Sequence, residues 1–481
     1  MKFNKIFTVC ALICVMMFTA CSDVIEVEPI FQKDGAQIFT SLNDYQFSLT
    51  GAYALFRRTG YFGSGGQTTS TWANLPDMMT DNLVQTGEDL ANWQAQTNWV
   101  FTTDENDIEV AWIAAYSVIS QANLTLRGID AFVSVDAARV NRIKGQALAI
   151  RAMAHFDLLR FWGEEYDRNS SKLGIPYVTE VDVELKPARL TVKQTWDKIF
   201  VDMLAAETAL ASVTGINTAT NKSGLDVNAI RGLLARMYLY SKEYASAESY
   251  ATLVITAAPL ASRANFPNIW KDASSAEVLW SVAFNAGEGS PAFGVHLAAN
   301  NRNRFRPAAA LEATFDQVND VRFASYFASR VLGANNRRIL TKYLGRGTAL
   351  DNLVNWKALR TGEMFLIRAE ARARQGGVKE VSGLADLNEL RAARISGYTP
   401  VLLIGNPLID AIELERRKEL VGEGHRWFDL KRTSRNIART EKVLNSTNLT
   451  LASTSKYWVW PIPQGEIDAN PTIKPQQTPG W

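Results

Sequence analysis

Apolar residues recur at three- and four-residue steps over most of this chain, and the helices they predict come in pairs. In "AIRGLLARMYLYSKEYASAESYATLVITAAP", residues 229 to 259, the positions of Ala235, Tyr238, Tyr244, Ala247, Ala251, Val254 and Pro259 match the small, aromatic and proline places of a tetratricopeptide-type hairpin. Small residues let two antiparallel helices approach closely, and aromatics fill the groove beside them. A second pair runs from "GEMFLIRAEARARQGG" into "SGLADLNELRAAR", with Gly376 and Gly377 at the break between them. Two further pairings are expected, Ile108 to Ile129 with Asp136 to Trp162, and Thr191 to Ala211 leading into the first hairpin. Each unit leaves an apolar face that only a neighbour covers. The fold class is therefore mainly α: about four stacked helix pairs in one scaffold over residues 35–481, with a part to 260 and a part from 261.

The pattern lapses in two places. Residues 60 to 103 are rich in Gly, Thr, Asn and Gln yet carry Tyr61, Phe62, Trp72, Trp93 and Trp99, and loops of such length inside a compact chain are usually functional. Residues 259 to 310 hold Trp270, Trp280, Phe293, His296 and the basic run Arg302, Arg304, Arg306. Short strands are expected here and near "KYWVWPIP". The Pro-rich end, "WPIPQGEIDANPTIKPQQTPGW", should wrap over the helices in extended form.

Before the first helix stands a leader. Lys2 and Lys5 precede an apolar run from Ile6 to Ala20, too short to span a bilayer and shaped like an export signal. It closes as "FTAC", a pattern in which the thiol of Cys21 receives a lipid, and the acidic "SDVIEVEP" opens a tether over residues 21–34. Cys10 and Cys14 lie within the leader, so one cysteine remains and no internal disulfide is possible. The full chain has 51 basic and 49 acidic residues, and the leader removes two lysines, leaving formal neutrality. A neutral chain lacks the counterion-release term that drives proteins onto phosphate backbones, which argues against nucleic acid as a partner.

Enzyme signatures are mostly missing. The chain has no GxxxxGK[ST], HExxH or GxSxG, and the glycines of "GYFGSGG" lack the context that cradles phosphate. Three histidines, at 155, 296 and 425, are scattered, so no metal or other cofactor is expected. Asp77 with Asp81, or Glu88 with Asp89, are the carboxylate pairs that glycoside hydrolysis would need. The densest charge is in "ERRKELVGEGHRWFDLKR", residues 415 to 432. There Ile409, Ile412, Arg416 and Leu420 share one helix face, turning Arg416 inward, with Glu419, Asp429 and Arg432 as partners. That reads as a buried ion network bracing a helix end rather than a catalytic centre.

"AIELERRKELVGEGHRWFDLKR" resembles the C-terminal signature of the SusD/RagB family of surface lipoproteins. "LAIRAMAHFDLLRFWGEEY" resembles that family's N-terminal helix, "MFLIRAEARARQGG" with "LNELRAAR" its central helix pair, and "YWVWPIPQGEIDANPTIKPQQTPGW" its closing segment. These stretches follow the family's order along nearly the whole chain after the leader. One departure is Gln477-Thr478 before Pro479, where the family often has Gln-Asn-Pro-Gly. The resemblance implies an outer-membrane, cell-surface lipoprotein, anchored through Cys21, that catalyses no reaction. It would capture a glycan and deliver it to a SusC-like TonB-dependent transporter. A peptide-binding relative on the same scaffold is the alternative, and a glycoside hydrolase ranks behind both.

The resemblance does not name ligand contacts, because such loops vary within the family. Sugars lay their C–H faces on aromatic planes while amides, carboxylates and guanidinium groups take the hydroxyls. On that requirement Tyr61, Phe62, Trp72, Asn74, Asp77 and Trp93 are the first candidates, and Trp270, Phe293, His296 and Arg302 the second. The expected platform is a set of uncovered rings. The basic residues near Arg302 suit either docking to the transporter or an acidic ligand.

Overall fold

Side-chain caps start helices where the periodicity begins. Asp44 Oδ2 accepts from Ser41 N at 2.8 Å, and Thr191 and Gln194 cap each other, side chain to backbone, at 3.0 and 3.1 Å. A computed structural model of the chain describes residues 38–65, 70–89, 93–297, 302–332, 335–444 and 448–481. The expected leader, Cys21 and the tether lie outside the described residues.

The longer helices of the described residues are α1 (Leu42–Leu55), α2 (Asn106–Leu126), α3 (Val133–Trp162), α4 (Val192–Leu210), α5 (Val227–Tyr240), α6 (Tyr244–Ala257), α7 (Thr361–Gln375), α8 (Val378–Arg394), α9 (Gly405–Glu419) and α10 (Arg426–Arg432). Helices α2 and α3, α5 and α6, and α7 and α8 form hairpins. Helix α4 packs on α3, and α7 packs on α6 as well as α8 and α9, so the pairs stack into one scaffold. In the α5–α6 hairpin Ala235, Ala247, Ala251 and Val254 are wholly buried, while Tyr238 stacks on Phe200 of α4 at 4.3 Å. Gly376 and Gly377, at φ +73° and +59°, turn the chain from α7 to α8. None of the described helices is long and apolar enough to cross a membrane.

The strands are short and antiparallel. β1 (Leu83–Gln85), β2 (Val278–Val282), β3 (His296–Leu297), β4 (Arg302–Asn303), β5 (Phe305–Pro307), β6 (Phe327–Leu332), β7 (Asn335–Leu340) and β8 (Trp356–Arg360) pair as β1–β5, β2–β8, β3–β4 and β6–β7. The β6–β7 hairpin and β8 lie beyond the stretches where strands were expected. The strand expected near "KYWVWPIP" lies just ahead of it, where Thr450–Leu451 pairs antiparallel with Ile437–Ala438, and the motif itself holds none. Lys456–Trp458 is a 3-10 turn, and the segment beyond it runs through Pro461 and Pro463, which have no N–H to donate to a ladder.

The closing segment does wrap the helices, with a short helix, Gln464–Ala469, where extended chain was expected. Trp460 stacks on Phe161 at 3.9 Å, its backbone N–H donates to the Phe161 carbonyl at 3.0 Å, and the Trp162 indole donates to the Pro461 carbonyl at 2.7 Å. At the departure from the family pattern, the Thr478 hydroxyl donates to the Trp460 carbonyl at 3.0 Å.

The charge-dense stretch is the expected brace, and it is larger than expected. Asp429 takes Arg416 at 3.1 Å and Arg432 at 2.8 Å, and Arg432 continues to Glu370 at 2.5 Å. Glu419, fully buried, accepts from Arg322 at 3.1 Å, Arg360 at 3.0 Å and Arg394 at 3.0 Å. Glu277, Glu415, Glu423 and Asp320 complete the partners of these arginines and of Lys342 and Lys418. Burial alone would raise the Glu419 carboxyl, yet Arg394, Arg360 and Arg322 hold it well below the usual carboxylate range. The network ties α8, α9, β8 and the turn after α9 into one body.

Candidate functional site

Most of the predicted platform is core. Tyr61 and Trp72 lie ring against ring at 4.5 Å, and both are pinned to α3. The Tyr61 hydroxyl donates to Asp157 Oδ2 at 2.6 Å, and the Trp72 indole donates to the Asp157 carbonyl at 3.0 Å. Phe62 packs against Trp280 and Trp356 with centroids 6.3 and 6.4 Å away. The Arg304 guanidinium sits 5.3 Å over Trp93, and the Lys342 ammonium 4.2 Å over Trp270. All five rings are at most 5% exposed. The expectation of uncovered rings at Tyr61, Phe62, Trp72, Trp93 and Trp270 is therefore corrected. Large rings gain most by burial, and the Gly- and amide-rich segments carrying them fold back onto partners distant in sequence.

Asn74 and Asp77 are sealed as well, which corrects their reading as ligand contacts. Asn74 Nδ2 donates to the Pro291 carbonyl. Asp77 accepts from Asn82 Nδ2 at 2.7 Å and from Gly424 N at 3.1 Å, and burial pushes its carboxyl up to about 6 against the pull of those hydrogen bonds. Its neighbour Asp81 is answered by Arg426 at 2.8 Å and Arg417 at 3.2 Å, and these outweigh burial to hold it at about 2. Glu88 pairs with Arg337 at 2.5 Å, and Asp89 lies 3.8 Å from Arg304. Each suspected carboxylate is thus committed to a structural partner. The histidines are separate: His155 stacks on Tyr177 at 3.7 Å, His425 is buried near Glu363, and His296 lies on β3. No cluster of metal-ligating side chains occurs among the described residues.

Phe293 stands apart, because its side chain is only half-buried. It borders a cavity of about 550 Å³ with Ser64, Gly65, Glu288, Arg304, Asp351 and Leu353. Three contacts fix this wall. Asn74 holds the Pro291–Gly294 turn through its carbonyl, the Ser290 hydroxyl donates to the Asn352 carbonyl at 2.5 Å, and Ser64 N donates to the Gly289 carbonyl at 2.8 Å. At Gly289 a Cβ would stand 1.7 Å from the Ser64 carbonyl oxygen, so only glycine permits that approach. The cavity offers one aromatic edge, one aliphatic patch and charges of both signs.

A second cavity, of about 610 Å³, is lined by residues of β4, β5 and β7 with Thr86 and Glu88. Its walls carry three ion pairs: Arg306 with Glu441 at 2.6 Å, Arg337 with Glu88 at 2.5 Å and Arg338 with Glu312 at 2.5 Å. Asn303, Thr86, Gln317 and Asn336 add neutral polar groups. On β3, His296 Nε2 faces Arg330 at 3.2 Å, and burial together with that guanidinium lowers the imidazole to about 4. His296 is consequently neutral at physiological pH and 1% exposed, a wall residue rather than a ligand contact. Arg302, half-buried on β4, stands two residues from Arg304.

Of the ten predicted residues, Phe293 lines the first cavity and Asn74, His296 and Arg302 lie around these walls. Glu288, Asp351 and Leu353 were not foreseen, nor were Glu312, Arg337 and Arg338, and Arg304 was named only within the basic run near Arg302. The alternating basic run at Arg302, Arg304 and Arg306 was the one usable signal. Paired ionic groups and amides beside a partly uncovered ring suit a polyhydroxylated ligand, which needs many directed hydrogen bonds and one apolar surface.

Comparison with known proteins agrees with this architecture. A family model described as the SusD family matches residues 333–481, and one described as "Starch-binding associating with outer membrane" matches residues 62–239. SusD-like protein P38 of Formosa agariphila is 24% identical over 540 residues, covering 98% of this chain and 99% of that protein. SusD-like protein P2 of the same organism is 21% identical over 537 residues, covering 99% and 100%. Among solved structures, a SusD superfamily protein from Bacteroides thetaiotaomicron aligns with a TM-score of 0.79 at 27% identity, covering 91% of this chain and 100% of that one. A SusD-like carbohydrate binding protein from Bacteroides vulgatus aligns at 0.78 and 20%, covering 90% and 98%.

Proposed function

Because this chain is a SusD-like protein, we propose that it binds an oligosaccharide at the loop-lined cavities and presents it to a SusC-like TonB-dependent transporter in the outer membrane, itself held there by a lipid on Cys21. The observation that carries the glycan reading is the Phe293 cavity, where a half-buried ring, an aliphatic neighbour and the charged groups of Glu288, Arg304 and Asp351 converge on one space. A pyranose ring presents the complementary surfaces: an apolar C–H face for Phe293 and hydroxyls for the ionic groups. The carboxylates suspected of catalysis are held in structural pairs, so no reaction is assigned to the chain.

Binding measured by calorimetry against a panel of oligosaccharides and a matched panel of oligopeptides tests this reading. An oligosaccharide should bind, and Phe293→Ala should weaken it by about 0.5–1.5 kcal/mol, the worth of one ring contact. Binding confined to peptides would replace the glycan reading with the peptide one. Recovery of a large barrel protein with the tagged full-length chain from outer membranes tests the transporter partnership, and its absence would overturn that part.

A further inference from the structure

A further cavity belongs to neither loop-lined space. It measures about 900 Å³ and opens between α1, the start of α3 and the segment after α4, with Trp280 and Val282 of β2 at its base. Two of its residues, Arg139 and Arg142, lie one turn apart on α3, just past Asp136, where the helix backbone is broken. Arg142 donates to the carbonyls of Thr214 at 3.3 Å and Gly215 at 2.8 Å, and Arg139 to Asn43 Oδ1 at 2.5 Å. Neither guanidinium has a carboxylate within ion-pair distance among the described residues, unlike the arginines around the loop cavities. The one acidic side chain in the lining, Asp136, is occupied as a helix cap, accepting from Arg139 N at 2.9 Å. Val213 and Ile216 flank the Thr214–Gly215 segment that Arg142 holds and add apolar surface to the lining, along with the polar Gln46 and Asn141. An apolar patch beside guanidinium groups that lack a counterion fits an amphiphilic anion.

Continuity with the loop site narrows that class. Arg57 lines this cavity, Glu288 lines the Phe293 cavity, and the two side chains are joined at 3.0 Å, so the spaces meet at one ion pair. We propose that the large cavity is a second subsite that takes an acid-bearing sugar ring, a uronate or a sulfate ester, of the chain whose neighbouring units occupy the Phe293 cavity. The proposal rests on the glycan reading above and adds charge selectivity to it. Arg139 and Arg142 fork onto the acid group, and Val213 and Ile216 meet the ring.

Calorimetry on the full chain without its leader tests it, using tetragalacturonate, a sulfated carrageenan tetrasaccharide, neutral cellotetraose and tetraglutamate as probes. The variants are Arg139→Gln/Arg142→Gln and, to keep the hydrogen bonds to the 214–215 backbone, Arg142→Lys. An acid-bearing sugar is expected to bind about tenfold or more tighter than the neutral one. The double variant should abolish that margin and leave neutral binding unchanged, and the lysine variant should keep part of it. Whichever acidic sugar shows the margin identifies carboxylate or sulfate. Equal affinity for neutral and acidic sugars, or an acidic affinity untouched by the double variant, overturns the subsite while the glycan reading stands. Failure of every sugar overturns both, and tetraglutamate binding as tightly as the best sugar would make the cavity a peptide site.

Discussion

Replacing Glu419 by Gln is the sharpest test of the brace that holds the C-terminal helices together. The substitution keeps the shape and one acceptor but removes the charge shared by Arg322, Arg360 and Arg394 at 3.0 to 3.1 Å. In the wild type the buried Arg322, Arg360, Arg394, Lys342 and Lys418 face the buried Asp320, Glu277, Glu415, Glu419 and Glu423, five against five, and the half-buried Arg391 reaches Glu415 from the edge at 2.7 Å. The variant leaves one cation in excess inside the protein. Breaking a buried pair costs about 3–5 kcal/mol, and Glu419 serves three arginines, so the loss should fall at the upper end. At about 2.1 cal/mol/K per residue, the unfolding entropy of a chain this long converts that loss into a Tm drop of roughly 3–5 °C. Differential scanning calorimetry measures it, with agreement between calorimetric and van't Hoff enthalpies checked first. Asp130→Asn is the control, since the Lys144–Asp130 pair has side chains 34% and 65% exposed and should matter by less than about 1 kcal/mol. The double variant Glu419→Gln/Arg394→Gln restores the balance and should be less destabilised than the two single changes added together. A Tm drop for Glu419→Gln no larger than the control's, or strict additivity in the double variant, would refute charge balance as what holds this region.

Asp77→Asn tests the raised carboxyl. With its folded value near 6 and its unfolded value near 3.8, the folded chain keeps a proton that the unfolded chain releases, so this group's contribution to stability falls as pH rises through that window. Variant-minus-wild-type Tm should therefore rise between pH 4 and 7, corresponding to about 3 kcal/mol at most, and a flat difference would show that Asp77 titrates normally. Trp72→Ala should lower stability by about 3–5 kcal/mol in urea unfolding, the usual cost of emptying a buried ring site. Asn74→Ala, which frees the Pro291 carbonyl, should weaken oligosaccharide binding without touching the ligand, seen as a higher Kd that Phe293→Ala does not worsen additively. Gly289→Ala should be poorly folded or lose binding, because its Cβ has no room beside Ser64, and an unchanged melting curve with unchanged affinity would contradict the fixed wall.

Local pattern revealed the scaffold because the scaffold is locally encoded. Ala235, Ala247 and Ala251 mark a close helix contact within one hairpin, and Arg416 among Ile409, Ile412 and Leu420 announces an inward cation needing a partner. The fate of the loop aromatics is not local. Trp72 is buried by Asp157 and its helix, 85 residues away, and a Gly- and Thr-rich setting carries no trace of that. The opposite error hid the site walls. Glu88 and Asp89 looked like a free acidic pair, but Arg337 and Arg304 reach them from segments more than two hundred residues later. Phe293 was chosen for its residue type and lines the cavity, whereas Trp93 and Trp270 were chosen for the same reason and became core. Ring chemistry suggests the class of surface, and only tertiary packing decides which ring remains uncovered.

The closing segment bears on biogenesis. The chain emerges N-terminus first, so α3 is out hundreds of residues before Trp460 arrives to cover Phe161 and take its place beside Trp162. Until the final two dozen residues emerge, that aromatic seam stays wet and the first half of the protein has no lid. Premature termination near the end should thus be as damaging as a deletion at the centre, giving insoluble or rapidly degraded product from a polypeptide that is almost complete.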